Sequence, residues 1–227
     1  MDKKNTMLLT VIAVATLLVA VVGATFAYYS VYSSNTVGNT QVQAYTGTTG
    51  TATLTTEDNT LYINMTTENM LIANYGTYYA TSSNEPAVKN TAATHTLATI
   101  ASTNSTANQT YSCTFKMNIA FANNSGSASA WAALSDADGG YTFTIGSGVT
   151  VQGITSGTKY GYATLKTMTG DHTGTVTFNG DQSATITGQM VFENLQDDTQ
   201  NDLAGLDMKV DVTFSDFSCT STISSGS

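Results

Sequence analysis

Apolar and polar residues alternate through most of this chain, most clearly in two long segments. From Tyr111 the apolar side chains fall at Tyr111, Cys113, Phe115, Met117, Ile119 and Phe121, with Ser112, Thr114, Lys116 and Asn118 between them. A period of two places one face of a strand in a core and the other in water. Near the end, Leu206, Met208, Val210, Val212 and Phe214 alternate in the same way with Asp207, Lys209, Asp211 and Thr213. Shorter alternating stretches at 51–56, 61–65, 94–101, 141–145, 159–168, 173–179 and 184–193 predict further strands. Turn chemistry separates them at Asn123-Asn124-Ser125-Gly126, Asp138-Gly139-Gly140 and Asn179-Gly180-Asp181. No long helical period appears. The expected fold class is all-β: a two-sheet antiparallel sandwich, jelly-roll-like.

A different pattern precedes the alternation. Lys3 and Lys4 head an apolar run from Met7 to Ala24 that is broken only by Thr10, Thr16 and Gly23, and small residues follow at Thr25 and Ala27. A lysine head, an apolar run and a small-x-small site read as a secretory signal over residues 1–27, cut between Ala27 and Tyr28. The run also has the roughly 17 to 25 apolar residues that span a bilayer, so an uncleaved membrane helix is the alternative. The remainder is expected outside the cell, secreted or held at the surface. Residues 28–50 form an extended, uncharged segment, 51–220 the sandwich and 221–227 a polar tail.

Composition and charge narrow the function. Threonine fills 43 of the 227 positions, arginine is absent, and the formal net charge is -9. Nucleic acid is excluded as a natural partner, because phosphate neutralisation needs clustered Lys and Arg. The acidity reads as the soluble surface of an exported protein. Cys113 and Cys219, the only cysteines, sit on the two long strands, and a pair in an exported chain is expected to be bonded. Asp216 takes the inward parity of Phe214, whereas Phe217 and Cys219 are offset by one. A β-bulge near Ser215 or Asp216 would return both to the core face.

Catalytic chemistry is poorly represented. The two histidines, His95 and His172, lie in different segments, with no HExxH pair to hold zinc and no G-x-S-x-G elbow. No catalytic residue is assigned, and the chain is not expected to be an enzyme. Asp136 and Asp138, in Ser135-Asp136-Ala137-Asp138-Gly139-Gly140, pair carboxylates with a glycine turn as calcium loops do, without the acid at the twelfth position. Calcium is the only candidate cofactor, and turn chemistry explains the motif as well.

Three fragments carry a family likeness: VVGATFAYYS at the end of the apolar run, TFKMNIAFANNSGS in the first long strand, and QMVFENLQDDTQNDLAGLDMKVDVTFSDF near the end. Together they resemble the TasA/camelysin family of Gram-positive biofilm-matrix fibre proteins, with a SipW-type signal peptide. The chain departs from that pattern in its Tyr28-Tyr29 pair, its two cysteines and its scarcity of lysine. The resemblance implies a jelly-roll subunit of extracellular fibres, released by a dedicated signal peptidase and joined to its neighbours by strand donation. The residues suggest a donor independently: the segment from Tyr28 to Thr46 is extended and uncharged, and a sheet edge can accept such a strand. Tyr29 and Val31, or Tyr28 and Tyr32, would fill pockets on alternate faces. The expected partners are further copies of the chain as a homopolymer, the signal peptidase during export, and other matrix proteins or polysaccharide. Two other functions stay open: a membrane-anchored surface adhesin or carbohydrate-binding module, and a camelysin-type secreted metallopeptidase.

Overall fold

The computed structural model describes residues 40–44, 50–83, 85–105, 108–123, 134–195, 200, 204 and 206–223, all within one unit. The strands are β1 (Thr40–Ala44), β2 (Thr51–Thr56), β3 (Thr60–Met65), β4 (Gly76–Tyr79), β5 (Val88–Lys89), β6 (His95–Thr103) and β7 (Gln109–Asn123). After them come β8 (Gly139–Ile145), β9 (Val149–Val151), β10 (Lys159–Gly161), β11 (Gly170–Asn179), β12 (Gln182–Asn194) and β13 (Leu206–Ile223). One short helix, α1 (Tyr162–Lys166), follows β10.

These strands form the two antiparallel sheets that the alternation predicts. The first is built outward from β12. One edge of β12 pairs with β6 and, further along, with β4, while its other edge pairs with β8. Beyond β6 lie β2 and β1, beyond β8 lies β10, and beyond β4 lies β5. The second sheet runs β3-β13-β7-β11-β9. From β6 onward each successive strand crosses to the other sheet, so the inward rows of both sheets meet in a single core. Leu54, Ile100, Phe143, Ile186 and Phe192 line it from the first sheet, and Leu61, Phe115, Met117, Val210 and Val212 from the second.

Two glycines explain how such large aromatics fit. Gly174 pairs directly with Phe115 across β11 and β7, and a Cβ added there would lie 2.1 Å from the phenyl ring. A Cβ on Gly188 of β12 would lie 2.1 Å from the Tyr141 hydroxyl oxygen. In each case the ring occupies the volume a neighbouring strand leaves empty, which keeps the core close-packed.

The long β7–β13 ladder holds the expected irregularity. Ser215 pairs with Lys116 and Ser218 with Thr114, so Asp216 and Phe217 together oppose Phe115 alone. Asp216 takes a left-handed conformation (φ 52), and its carboxylate meets the Lys116 ammonium at 2.7 Å. The bulge resets parity, and Cys219 turns inward opposite Cys113 as the sequence pattern requires.

The short strands β4, β5 and β9 lie outside the expected stretches, and other bounds differ as well. Residues 159–168 form only the short β10 followed by α1, because one helical turn buries Tyr162 and Leu165, three apart, on the same side. Strand β13 extends through Ile223, into the expected polar tail. Part of the N-terminal extension, Thr40–Ala44, already belongs to the first sheet.

Candidate functional site

For a chain whose sequence points to assembly rather than catalysis, the sheet edges are the natural candidate surfaces, since an unpaired edge invites another strand. Among the described residues most edges are blunted. Beside β3, the Tyr62 N–H donates to Thr81 O at 2.9 Å, the Thr81 N–H to Tyr62 O at 3.0 Å, and the Ala87 N–H to Asn64 O at 2.9 Å. Along β8, the Ile145 N–H donates to Ser156 Oγ at 2.8 Å and the Gly157 N–H to Phe143 O at 2.7 Å. Outside β11, the short β9 covers the centre, the Thr177 N–H reaches Gly148 O, and the Gln152 N–H reaches Thr173 O. Strands β5 and β10 are two and three residues long, too short to template a partner.

The edge of β2 is treated differently. Here β1 lies antiparallel, with Thr40 opposite Thr55, Val42 opposite Thr53 and Ala44 opposite Thr51. The strand on this edge comes from the segment expected to act as a donor, and it is paired within its own molecule. On its other side β2 pairs with β6 from Thr51 through Thr56, and Ala52 and Leu54 are fully buried. The donor residues Tyr28, Tyr29, Val31 and Tyr32, and the cleavage site at Ala27 and Tyr28, lie outside the described residues.

Cys113 and Cys219 form a disulfide that closes a sequence separation of 106, and no described cysteine is free. Both are buried on the inner face, with Phe115 beside Phe214 at 6.1 Å between ring centroids.

Asp136 and Asp138 fall in a single 3₁₀ turn, Asp136–Asp138, with their carboxylates engaged in separate directions. Asp136 accepts from the Thr164 N–H and the Thr164 hydroxyl, each at 2.9 Å, and so caps the start of α1, where Gly161 has no side chain to do it. Those donors hold the Asp136 carboxyl below its ordinary pKa, the Thr164 amide contributing most. Asp138 completes a capping box: it accepts from the Ser135 N–H and hydroxyl, each at 2.7 Å, and from the buried amide of Gln200. Gln200 also donates to Glu193 O and accepts from the Leu195 N–H, tying the end of β12 to this turn. Beside it, the buried Tyr162 hydroxyl donates to Val191 O at 2.6 Å, and burial pushes its pKa up. Lys166 donates to Leu134 O at 2.8 Å, and burial lowers its pKa against the pull of Asp136 and Asp138. Turn and capping contacts therefore account for both carboxylates. Among the described residues no group of three or more His, Cys, Asp or Glu is placed to hold a metal ion.

The histidines are separated by the sandwich. His95 opens β6, with Nδ1 3.5 Å from Asp58 and Nε2 3.2 Å from Ala80 O. His172, in β11, sets Nδ1 3.0 Å from Gln152 O and Nε2 2.8 Å from Met168 O. Each ring braces a turn. Sequence reasoning missed the Gln200–Asp138 connection and the pairing of β1; a polar glutamine in a loop and the five residues TQVQA carry no pattern that would reveal either.

Comparison with family models, curated proteins and solved structures finds no match to this chain.

Proposed function

We propose that this chain is the structural subunit of an extracellular fibre, exported, trimmed after Ala27 and polymerised head to tail through its N-terminal segment. The observation that carries the reading is β1: the part of that segment described here joins a sheet by backbone pairing at an edge, as a donated strand must. Three further features support it. The lysine-headed apolar run reads as an export signal. A buried disulfide belongs to an oxidising compartment such as the cell exterior. The edges of β3, β8 and β11 are blunted and those of β5 and β10 are short, which favours specific over indiscriminate edge pairing. Donation from one copy to the next is heterologous and does not close, so it yields a filament. Further matrix proteins or polysaccharide would bind along that filament.

Electron microscopy of the mature protein tests the reading. Fibres are expected from residues 28–227 and lost when 28–44 are deleted, with the monomer still folded by circular dichroism. Fibres that survive the deletion would refute donation by this segment. N-terminal sequencing of cell-surface material separates this reading from an anchored adhesin: a start at Tyr28 means release, an intact Met1 means anchoring.

A further inference from the structure

We infer that the acceptor for a neighbour's strand is the edge of β2, that its occupant in the fibre is Thr40–Ala44 of a second copy, and that β1 fills this edge in the monomer as a self-cap. The inference rests on the fibre reading and adds to it the docking surface, the register and the reason a monomer stays a monomer.

Five consecutive residues of β1 match five of β2, Thr40 to Thr55 through Ala44 to Thr51. An identical strand from another molecule makes the same backbone bonds in the same register, so exchanging a cis strand for a trans one conserves the ladder. Among the described residues, the edges of β3, β8 and β11 are covered by strands or by the turn contacts at Thr81, Ala87, Ser156, Gly157, Gly148 and Gln152.

The cap is also the strand best suited to leave. β1 pairs only with β2 among the described residues, whereas β2 is held on its far side by β6 and anchored by Ala52 and Leu54 in the core. Its sequence, TQVQA, offers one valine as its only large apolar side chain. An edge strand of this kind opens at a free energy well below that of global unfolding. Residues 45–50, Tyr-Thr-Gly-Thr-Thr-Gly, are all that joins it to β2. Fully extended, they reach about 20 Å, several times the spacing between adjacent strands, which is enough to carry β1 off its own edge. Exchange then requires opening first, so the cis hairpin is the brake on assembly.

The paired variant Val42→Cys with Thr53→Cys reads both halves of this inference, because these residues face each other in the register. Oxidised as a monomer before assembly, it is expected to stay folded and form no fibres, while each single variant assembles like the parent protein. Oxidised after assembly, it is expected to give a ladder of covalent multimers on a non-reducing gel. Normal fibres from the pre-oxidised protein, or only intramolecular bonds in preformed fibres, would overturn the inference while leaving the fibre reading intact. Absence of fibres from the parent protein and both single variants would instead overturn the fibre reading, and this inference with it. A second pair, Thr40→Cys with Thr55→Cys, guards against a local folding defect and is expected to behave identically.

Discussion

The disulfide offers the sharpest test of how this sandwich is stabilised. Cys113 and Cys219 lie directly opposite each other on two strands that pair from Met208–Asn123 to Ile223–Gln109. The ladder and the bulge already hold them adjacent, so the bond adds little to the order of the folded state. Its effect falls on the unfolded chain, where it closes a loop of sequence separation 106. Loop-closure entropy for that separation is about 16 cal/mol/K, or about 4.8 kcal/mol at 25 °C. Replacing both cysteines by alanine is therefore expected to cost about 4 to 5 kcal/mol, a large share of the roughly 5 to 15 kcal/mol typical of a domain. For a sandwich of this size that corresponds to a fall in Tm of about 10 to 20 °C. Guanidinium unfolding of the two proteins side by side measures the difference, and circular dichroism at 25 °C should show an unchanged strand signal. A loss below about 1 kcal/mol would show that the unfolded chain is already compact around these strands, and would refute the entropic account. Loss of the fold itself would show that the ladder does not align the cysteines unaided.

Four further outcomes follow from the geometry. Gly174→Val forces a side chain into the Phe115 ring and is expected to destabilise by about 2 to 3 kcal/mol in chemical denaturation; an unchanged midpoint would show that the core has slack. Asp136→Asn removes a carboxylate whose pKa is lowered in the fold, so its contribution is present above the ordinary value of 3.8 and lost as pH falls through the lower folded value. Thermal melts should therefore separate the variant from the parent at pH 6 and converge in strong acid. Gln200→Ala strips the buried partner of Asp138 and is expected to cost about 2 kcal/mol, with faster amide exchange at Leu195. Millimolar calcium is expected to leave Tm unchanged, because the oxygens of Asp136 and Asp138 are spent on capping; a rise of several degrees would assign the turn a cation.

Legible in the residues alone are the fold class, the two long strands, a bulge near Ser215 or Asp216 and the inward cysteines. Alternation of side chains is a local property, and one slip of register moves a whole row from core to solvent, so the pattern must be written in the chain itself. Tertiary packing alone brings Thr40–Ala44 to the β2 edge, Gln200 to Asp138, and Asp136 to Thr164, 28 residues further on in α1. Polar strands and loops have no periodicity to declare a partner; their hydrogen bonds exist only once distant segments are brought together by the core. The same reason separates residues 159–168 from their predicted strand. Tyr162 and Leu165, three apart, are both buried by a helical turn, and the Tyr162 hydroxyl reaches Val191 O in β12.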